Sequence, residues 1–210
     1  MSDAARDQVL LEALAEIPTV GFSDAALNRA AERAGVDKRT LKDSFPNGAA
    51  SLAEAFSHWA DARMSEAMKH DGSERVRDRV RNAVKARIEA VMPHKKAARK
   101  ATSFLALPQH APLAAKLMMQ SVDAMWRAAG DKSSDFSYYT KRAMLSGVYG
   151  ATFLYWLSDA SEGNSATWAF LDKRIDNVMQ IERFRGAAQQ AAAKLPNPLE
   201  ILAKLRDRGR

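Results

Sequence analysis

With 210 residues, 47% of them apolar and 27% charged, the chain has the composition of one soluble globular domain, with room for a sizeable core and a small appendage. The absence of cysteine excludes a disulfide scaffold and all thiol or thiolate–metal chemistry. A formal net charge of +7 points to a nucleic-acid or anionic-membrane partner, so the placement of that charge along the chain matters.

Apolar residues recur at helical spacing from end to end, and no segment alternates with the period of a strand. Leu10, Leu11, Leu14 and Ile17 predict a first helix over Asp7–Ile17. Ser23 is a natural N-cap for Ala25–Ala34, which Gly35 ends. Asp37 caps a short third helix running through Phe45 to the break at Pro46-Asn47-Gly48. Ala49–Lys69 follows, with Leu52, Phe56, Trp59 and Met64 turned inward. Ser73 is the expected cap of a long charged helix reaching Met92, on which Val76, Val80, Val84, Ile88 and Val91 form a narrow stripe. Pro93 opens a helix over about Lys95–Leu107, and Pro112 suits the first turn of Leu113–Ala129. Asp135–Ser158 and Ala166–Arg185 complete the body. Beyond Leu195-Pro196-Asn197-Pro198, Leu199–Arg208 can form one more short helix. The fold class is all-α with nine to ten helices. Three parts are expected: a head over 1–48, a helical body over 49–185, and a tether with an amphipathic helix over 186–210.

The first three helices, with a tight turn at Gly35 and with Thr40, Leu41 and Phe45 placed to seat the third, have the order of a helix-turn-helix head. This part resembles the DNA-binding head of TetR-type repressors, and it departs from them where the chemistry lies. TetR heads usually carry a Tyr, an Arg or other polar group, and a His before the final Phe; here those places hold Lys42, Asp43 and Ser44. A Lys common just after the Phe-Pro turn is replaced by Gly48. Residues 1–50 contain six basic side chains against eight acidic ones, whereas residues 71–100 have ten against four and residues 185–210 six against two. Phosphate binding rests on lysine and arginine, so specific DNA binding is not expected of this head.

Ala143–Leu157 is apolar on nearly all faces and marks a central helix. Gly147 and Gly150 inside it cost roughly 1 kcal/mol each relative to Ala. They serve either close helix approach, as at a homodimer seam built on Ala143, Gly147 and Ala151, or empty space. The second alternative is a groove for an isoprenoid tail, walled by Phe104, Leu105, Leu117, Met118, Met119, Met125, Leu145 and Tyr149 beside the two glycines. Ser121–Leu145 gathers Trp126, Phe136, Tyr138 and Tyr139 around the turn Gly130–Ser134, among Asp123, Asp131, Asp135, Lys141 and Arg142. A helix beginning near Asp135 sets Asp135, Tyr138, Tyr139 and Arg142 on one face. That is either the composition of a binding hot spot or a hairpin whose aromatics cap the core.

At the tail, Leu199, Ile201, Leu202 and Leu205 share an apolar side flanked by Lys204 and Arg208, which suits an anionic bilayer surface or a neighbouring subunit. The longest nearly apolar run is about 15 residues against the about 20 a spanning helix needs. The opening MSDAARDQ has neither an apolar signal core nor an Arg-rich transit peptide, so a cytoplasmic location is expected. Glu54 and His58 share a helix face, but no second carboxylate–histidine motif accompanies them. No catalytic constellation, metal site or cofactor is expected, and the chain does not read as an enzyme.

The segments LALPQHAP at Leu105–Pro112, GDKSSDFSYYTKRAML at Gly130–Leu145 and TWAFLDKRIDNVM at Thr167–Met179 resemble the ubiquinone (coenzyme Q) biosynthesis accessory family, whose members bind lipid and have a TetR-like fold. The likeness runs over roughly Val9–Ile181. It favours the groove over the seam and implies a polyprenyl quinone precursor or phospholipid as ligand. It also implies presentation of that ligand to the di-iron hydroxylase acting on demethoxyubiquinone, at a bacterial-type inner membrane. The family's enzyme-facing surface falls here on Asp123, Met125, Trp126, Asp135, Tyr138, Tyr139 and Arg142, with Tyr138 where the family often has Trp. The other expectation is a TetR-type regulator with an apolar effector, since a pocket serves both.

Overall fold

The computed structural model describes residues 3–131 and 136–193. Among them every regular element is helical: α1 (Asp3–Val20), α2 (Asp24–Arg33), α3 (Lys38–Ser44), α4 (Ala49–Met68), α5 (Val76–Val91), α6 (Lys95–Leu105), α7 (Ala111–Ala128), α8 (Phe136–Ser158) and α9 (Ser165–Ala193). Single 3-10 turns at Met92–His94, Pro108–His110 and Glu162–Asn164 lead into α6, α7 and α9. The chain divides into two compact units, residues 1–171 and 172–210. The expected tail helix with Leu199, Ile201, Leu202 and Leu205 lies outside the described residues, as does Asp135.

The head forms as its caps dictate. Ser23 Oγ accepts from the Ala26 amide at 3.2 Å and starts α2. Asp37 accepts from the Arg39 and Thr40 amides at 3.0 Å and starts α3. Leu41 and Phe45 are buried, as are Leu10, Leu14 and Ile17 of α1. Leu11, expected inward, is exposed; α1 turns Val9, Ala13 and Ile17 to the core instead. Gly48, at φ +54°, explains why no lysine stands after the Phe-Pro turn: a Cβ there would overlap the Asp24 carboxylate, which accepts from the Ala49 amide at 2.8 Å and caps α4.

In the body, α4 packs against both α5 and α7, and α7 packs against α8. Leu52, Phe56, Trp59 and Met64 are buried on α4, and Val80, Val84, Ile88 and Val91 on α5. Two expectations on α5 fail together. Ser73 does not cap it, because Ser73 Oγ donates to Asp71 and accepts from Asn82 Nδ2, so the helix begins only at Val76, which is itself exposed. α9 begins under a carboxylate cap, with Asp159 accepting from the Thr167 amide and hydroxyl. Those bonds, led by the Thr167 hydroxyl, hold the Asp159 pKa well below the ordinary carboxylate range. Among the described residues no helix is long and apolar enough to cross a membrane.

Candidate functional site

Between α4, α5, α6, α7 and α8 lies a cavity of about 410 Å³. Its walls are Ala53, Phe56 and Ser57 of α4; Arg87 and Val91 of α5; Ala98, Ala101, Thr102, Leu105 and Ala106 around α6; Ala114, Leu117, Met118 and Ser121 of α7; and Tyr149, Gly150, Phe153 and Leu154 of α8. The volume exists because small residues face one another across it. Ala98 and Ala101 of α6 and Ala106 just beyond it stand on one side, and Gly150 on α8 has only the Met118 Cε methyl near the place of its missing Cβ, at 3.5 Å. This is the size and character of a site for an apolar small molecule.

Of the groove residues expected from sequence, Leu105, Leu117, Met118, Tyr149 and Gly150 line this cavity and the others do not. Phe104 turns to the head, with its ring 5.8 Å from Phe22 and stacked on His110 at 4.0 Å. Met125 and Leu145 are buried in the core, and Met119 is exposed. Gly147 is exposed and faces outward with open space around it, beside the exposed Ala143. The two glycines therefore part company: Gly150 makes room and Gly147 lies on a surface.

Sequence reasoning missed the cavity's polar end. Arg87, 5% exposed, donates from Nε to Asp61 Oδ1 at 2.5 Å and from Nη2 to the Ser57 carbonyl and hydroxyl at 3.3 and 3.2 Å. Ser121 Oγ donates to Asp61 Oδ2 at 3.0 Å and lies 3.5 Å from Arg87 Nη2. The guanidinium carbon is 5.9 Å from the centre of the Tyr149 ring. Burial works against the charge on Arg87, yet the Asp61 carboxylate beside it holds its pKa above the ordinary value. Burial pushes the Tyr149 phenol up, so it stays a neutral hydroxyl. The one sequence signal was an arginine inside a valine-striped helix; its acidic partner sits on another helix, 26 residues earlier.

The aromatic segment divides differently from expectation. Arg142 is not on a surface: it is 3% exposed and donates from Nε and Nη2 to Asp123 Oδ1 at 2.8 and 2.6 Å. It also approaches Asp131 at 3.5 Å, and its guanidinium lies 3.3 Å over the Tyr138 ring. Tyr138 donates its hydroxyl to Asp123 at 3.2 Å, so Tyr138, Arg142 and Asp123 together clamp α8 to α7. Met125 is fully buried. Trp126 is half-buried and donates its indole N–H to the Lys141 carbonyl at 3.2 Å. Among the described residues of that group, Tyr139, 69% exposed, is the one that faces solvent. The common face fails because Tyr138 and Arg142, four apart, point inward, while Tyr139 lies a further 100° around the helix.

In the head, Arg29 and Arg33 are engaged by Glu16 and Glu12 of α1, and the exposed face of α3 carries Lys38, Arg39 and Lys42 beside Asp43. In the body, Glu54 pairs with Lys116 at 2.5 Å and His58 lies 3.2 Å from Gln120. Among the described residues no group of three histidine, aspartate or glutamate side chains could hold a metal ion.

Residues 111–182, covering α7, α8 and the start of α9, match the COQ9 family model. This stretch is therefore similar to the COQ9 domain. The resemblance drawn from Gly130–Leu145 and Thr167–Met179 falls inside it. Beyond the domain, the chain is 34% identical over 186 residues to the "Ubiquinone biosynthesis protein COQ9, mitochondrial" of Drosophila melanogaster, covering 86% of this chain and 57% of that one. The proteins of the same name from Rattus norvegicus and Homo sapiens are 31% and 29% identical over 183 residues, covering 83% of this chain and 58% and 57% of theirs. The chain thus spans under two thirds of the length of these COQ9 relatives. They are named as mitochondrial proteins, which overturns the expectation of a cytoplasmic protein at a bacterial-type inner membrane. A solved TetR transcriptional regulator from Nitrosomonas europaea has the same fold, with a TM-score of 0.64 at 19% identity over 81% of this chain and 95% of that one. The all-α, TetR-like class is therefore the fold of this chain.

Proposed function

We propose that this chain acts in ubiquinone biosynthesis as a non-catalytic lipid carrier. It takes up a polyprenyl quinone precursor between α4 and α8 and presents it to the di-iron hydroxylase of the pathway at a membrane surface. The observation that carries this reading is the apolar cavity of about 410 Å³ walled by five helices, five of whose lining residues belong to the groove expected from sequence. The relatives named as ubiquinone biosynthesis proteins supply the pathway. Tyr139 and the half-buried Trp126 make the partner surface, with Arg142 and Asp123 holding α8 to α7 beneath it. The outward Ala143 and Gly147 are where a second copy of the chain would pack.

A TetR-type regulator with an apolar effector is the second reading, favoured by the regulator fold. Against it stand the two head arginines occupied by Glu12 and Glu16, and Asp43 exposed on α3. Extraction of the purified protein followed by mass spectrometry separates the two. A prenylated quinone or its precursor, recovered in stoichiometric amount, is the expected result. Protein free of any lipid, together with a reproducible DNA palindrome enriched from random duplexes, would replace the carrier reading by the regulator.

A further inference from the structure

We infer that the Arg87–Asp61 pair is a recognition site for the oxygenated ring of the ligand, so that the cavity selects a neutral quinone or phenol head and not merely an apolar chain. This rests on the carrier reading above and deepens it. A cavity that had only to hold hydrocarbon would gain nothing from a charged pair at its wall, because burying an ion pair generally stabilises a fold no better than packed hydrophobic residues would. Here a guanidinium at nine-tenths burial or more is set beside an otherwise apolar space lined by Phe56, Leu117 and Tyr149.

The geometry of the pair says what it can take. Arg87 spends Nε on Asp61 and Nη2 on Ser57 and Ser121, and among the described residues no oxygen accepts from Nη1. The cluster therefore offers a donor at the cavity wall, where a ligand carbonyl or phenolic oxygen can accept. The charge is already balanced, because Asp61 neutralises Arg87 at 2.5 Å. A phosphate placed there would add an uncompensated negative charge beside a buried carboxylate, which low-dielectric surroundings penalise. A neutral ring oxygen adds none. Tyr149, whose ring stands 5.9 Å from the guanidinium and which also lines the cavity, gives the ring of such a ligand an aromatic neighbour. The prenyl tail then has the alanine-rich face of α6 and the gap at Gly150.

The test uses the full chain and three probes: a short-chain prenylated benzoquinone, a prenylated benzene of equal size without oxygen, and a short-chain phosphatidylcholine. Tryptophan quenching gives affinities for the wild type and for Asp61→Asn/Arg87→Met, which removes both charges and so leaves no unpaired ion. Loss of a hydrogen bond to a charged group should weaken the quinone by about tenfold or more and leave the oxygen-free analogue unchanged. Arginine Nε–H resonances of the wild type, which need no variant, should shift with the quinone and not with the hydrocarbon. Equal quinone affinity in wild type and variant, or an arginine spectrum indifferent to the quinone, overturns the inference while leaving the carrier reading intact. Tighter binding of the phospholipid than of the quinone also overturns it. Failure of all three probes to bind the wild type would instead remove the carrier reading itself.

Discussion

Replacing Arg142 with methionine keeps much of the side chain's apolar bulk and removes the charge that joins α7 to α8. Asp123 and Asp131 are left facing a protein interior, and the contact over Tyr138 goes with the guanidinium. Breaking a buried ion pair at one partner costs about 3–5 kcal/mol. Here the carboxylates keep other cations: Asp123 has Arg127 at 2.8 Å and Asp131 has Lys141 at 2.9 Å. Those residual pairs reduce the loss to about 2–3 kcal/mol. For a chain of this size each kcal/mol moves Tm by roughly 2–4 °C, so the melt should fall by about 5–10 °C. Tyr139→Ala, three residues away on the exposed side, should stay within about 0.5 kcal/mol of the wild type. Circular-dichroism melts of the two variants, beside pull-down of the hydroxylase, separate a clamp from a contact. Arg142→Met should lose stability, whereas Tyr139→Ala should lose only the partner. If Arg142→Met melts with the wild type, the ion-pair clamp contributes nothing and the reasoning fails.

Three further outcomes are expected. Gly150→Phe drives a ring past the Met118 methyl into the cavity and should empty the protein of lipid while the chain still folds to the same helical content; retained lipid would move the site elsewhere. Gly147→Ala meets nothing within 4 Å and should stabilise α8 by about 0.5–1 kcal/mol in thermal melts, so a loss of stability would mean that something covers that face. His94 packs edge-on to Trp59 at 5.6 Å, and burial, then the charge of Arg63, lowers its pKa below the ordinary 6.5. The unfolded chain therefore binds the proton first as pH falls, so this contribution to stability is complete above about pH 6.5 and is lost as pH drops through the depressed folded value. His94→Gln should flatten the decline of Tm below that pH, and an unchanged slope would acquit His94.

Much of the fold could be read from local chemistry, because caps and breaks act over a few residues. Ser23 and Asp37 start the helices they were expected to start, and Pro46-Asn47-Gly48 separates α3 from α4. Where a side chain had a competing neighbour, reading failed: Ser73 was captured by Asp71 and Asn82, and α5 began later. The same limit applies to the site. Leu117 and Met118 of α7 and Tyr149 and Gly150 of α8 were recoverable because apolar size and helical spacing are written within each segment. Arg87 and Arg142 were not, because a cation is exposed or buried according to acids on other helices, and Asp61 and Asp123 lie 26 and 19 residues away. Met125 shows the converse, a residue taken for surface that α7 turns fully inward.

α8 is one unbroken rod that carries the outward ring of Tyr139 near its start and the cavity wall of Tyr149 and Gly150 ten residues on. At 1.5 Å per residue those features stand about 15 Å apart on a shared axis. No break interrupts the helix between them, so the exposed ring of Tyr139 and the gap at Gly150 are joined by one continuous run of helical backbone. The Arg142 clamp lies between the two and fastens that same stretch of α8 to α7.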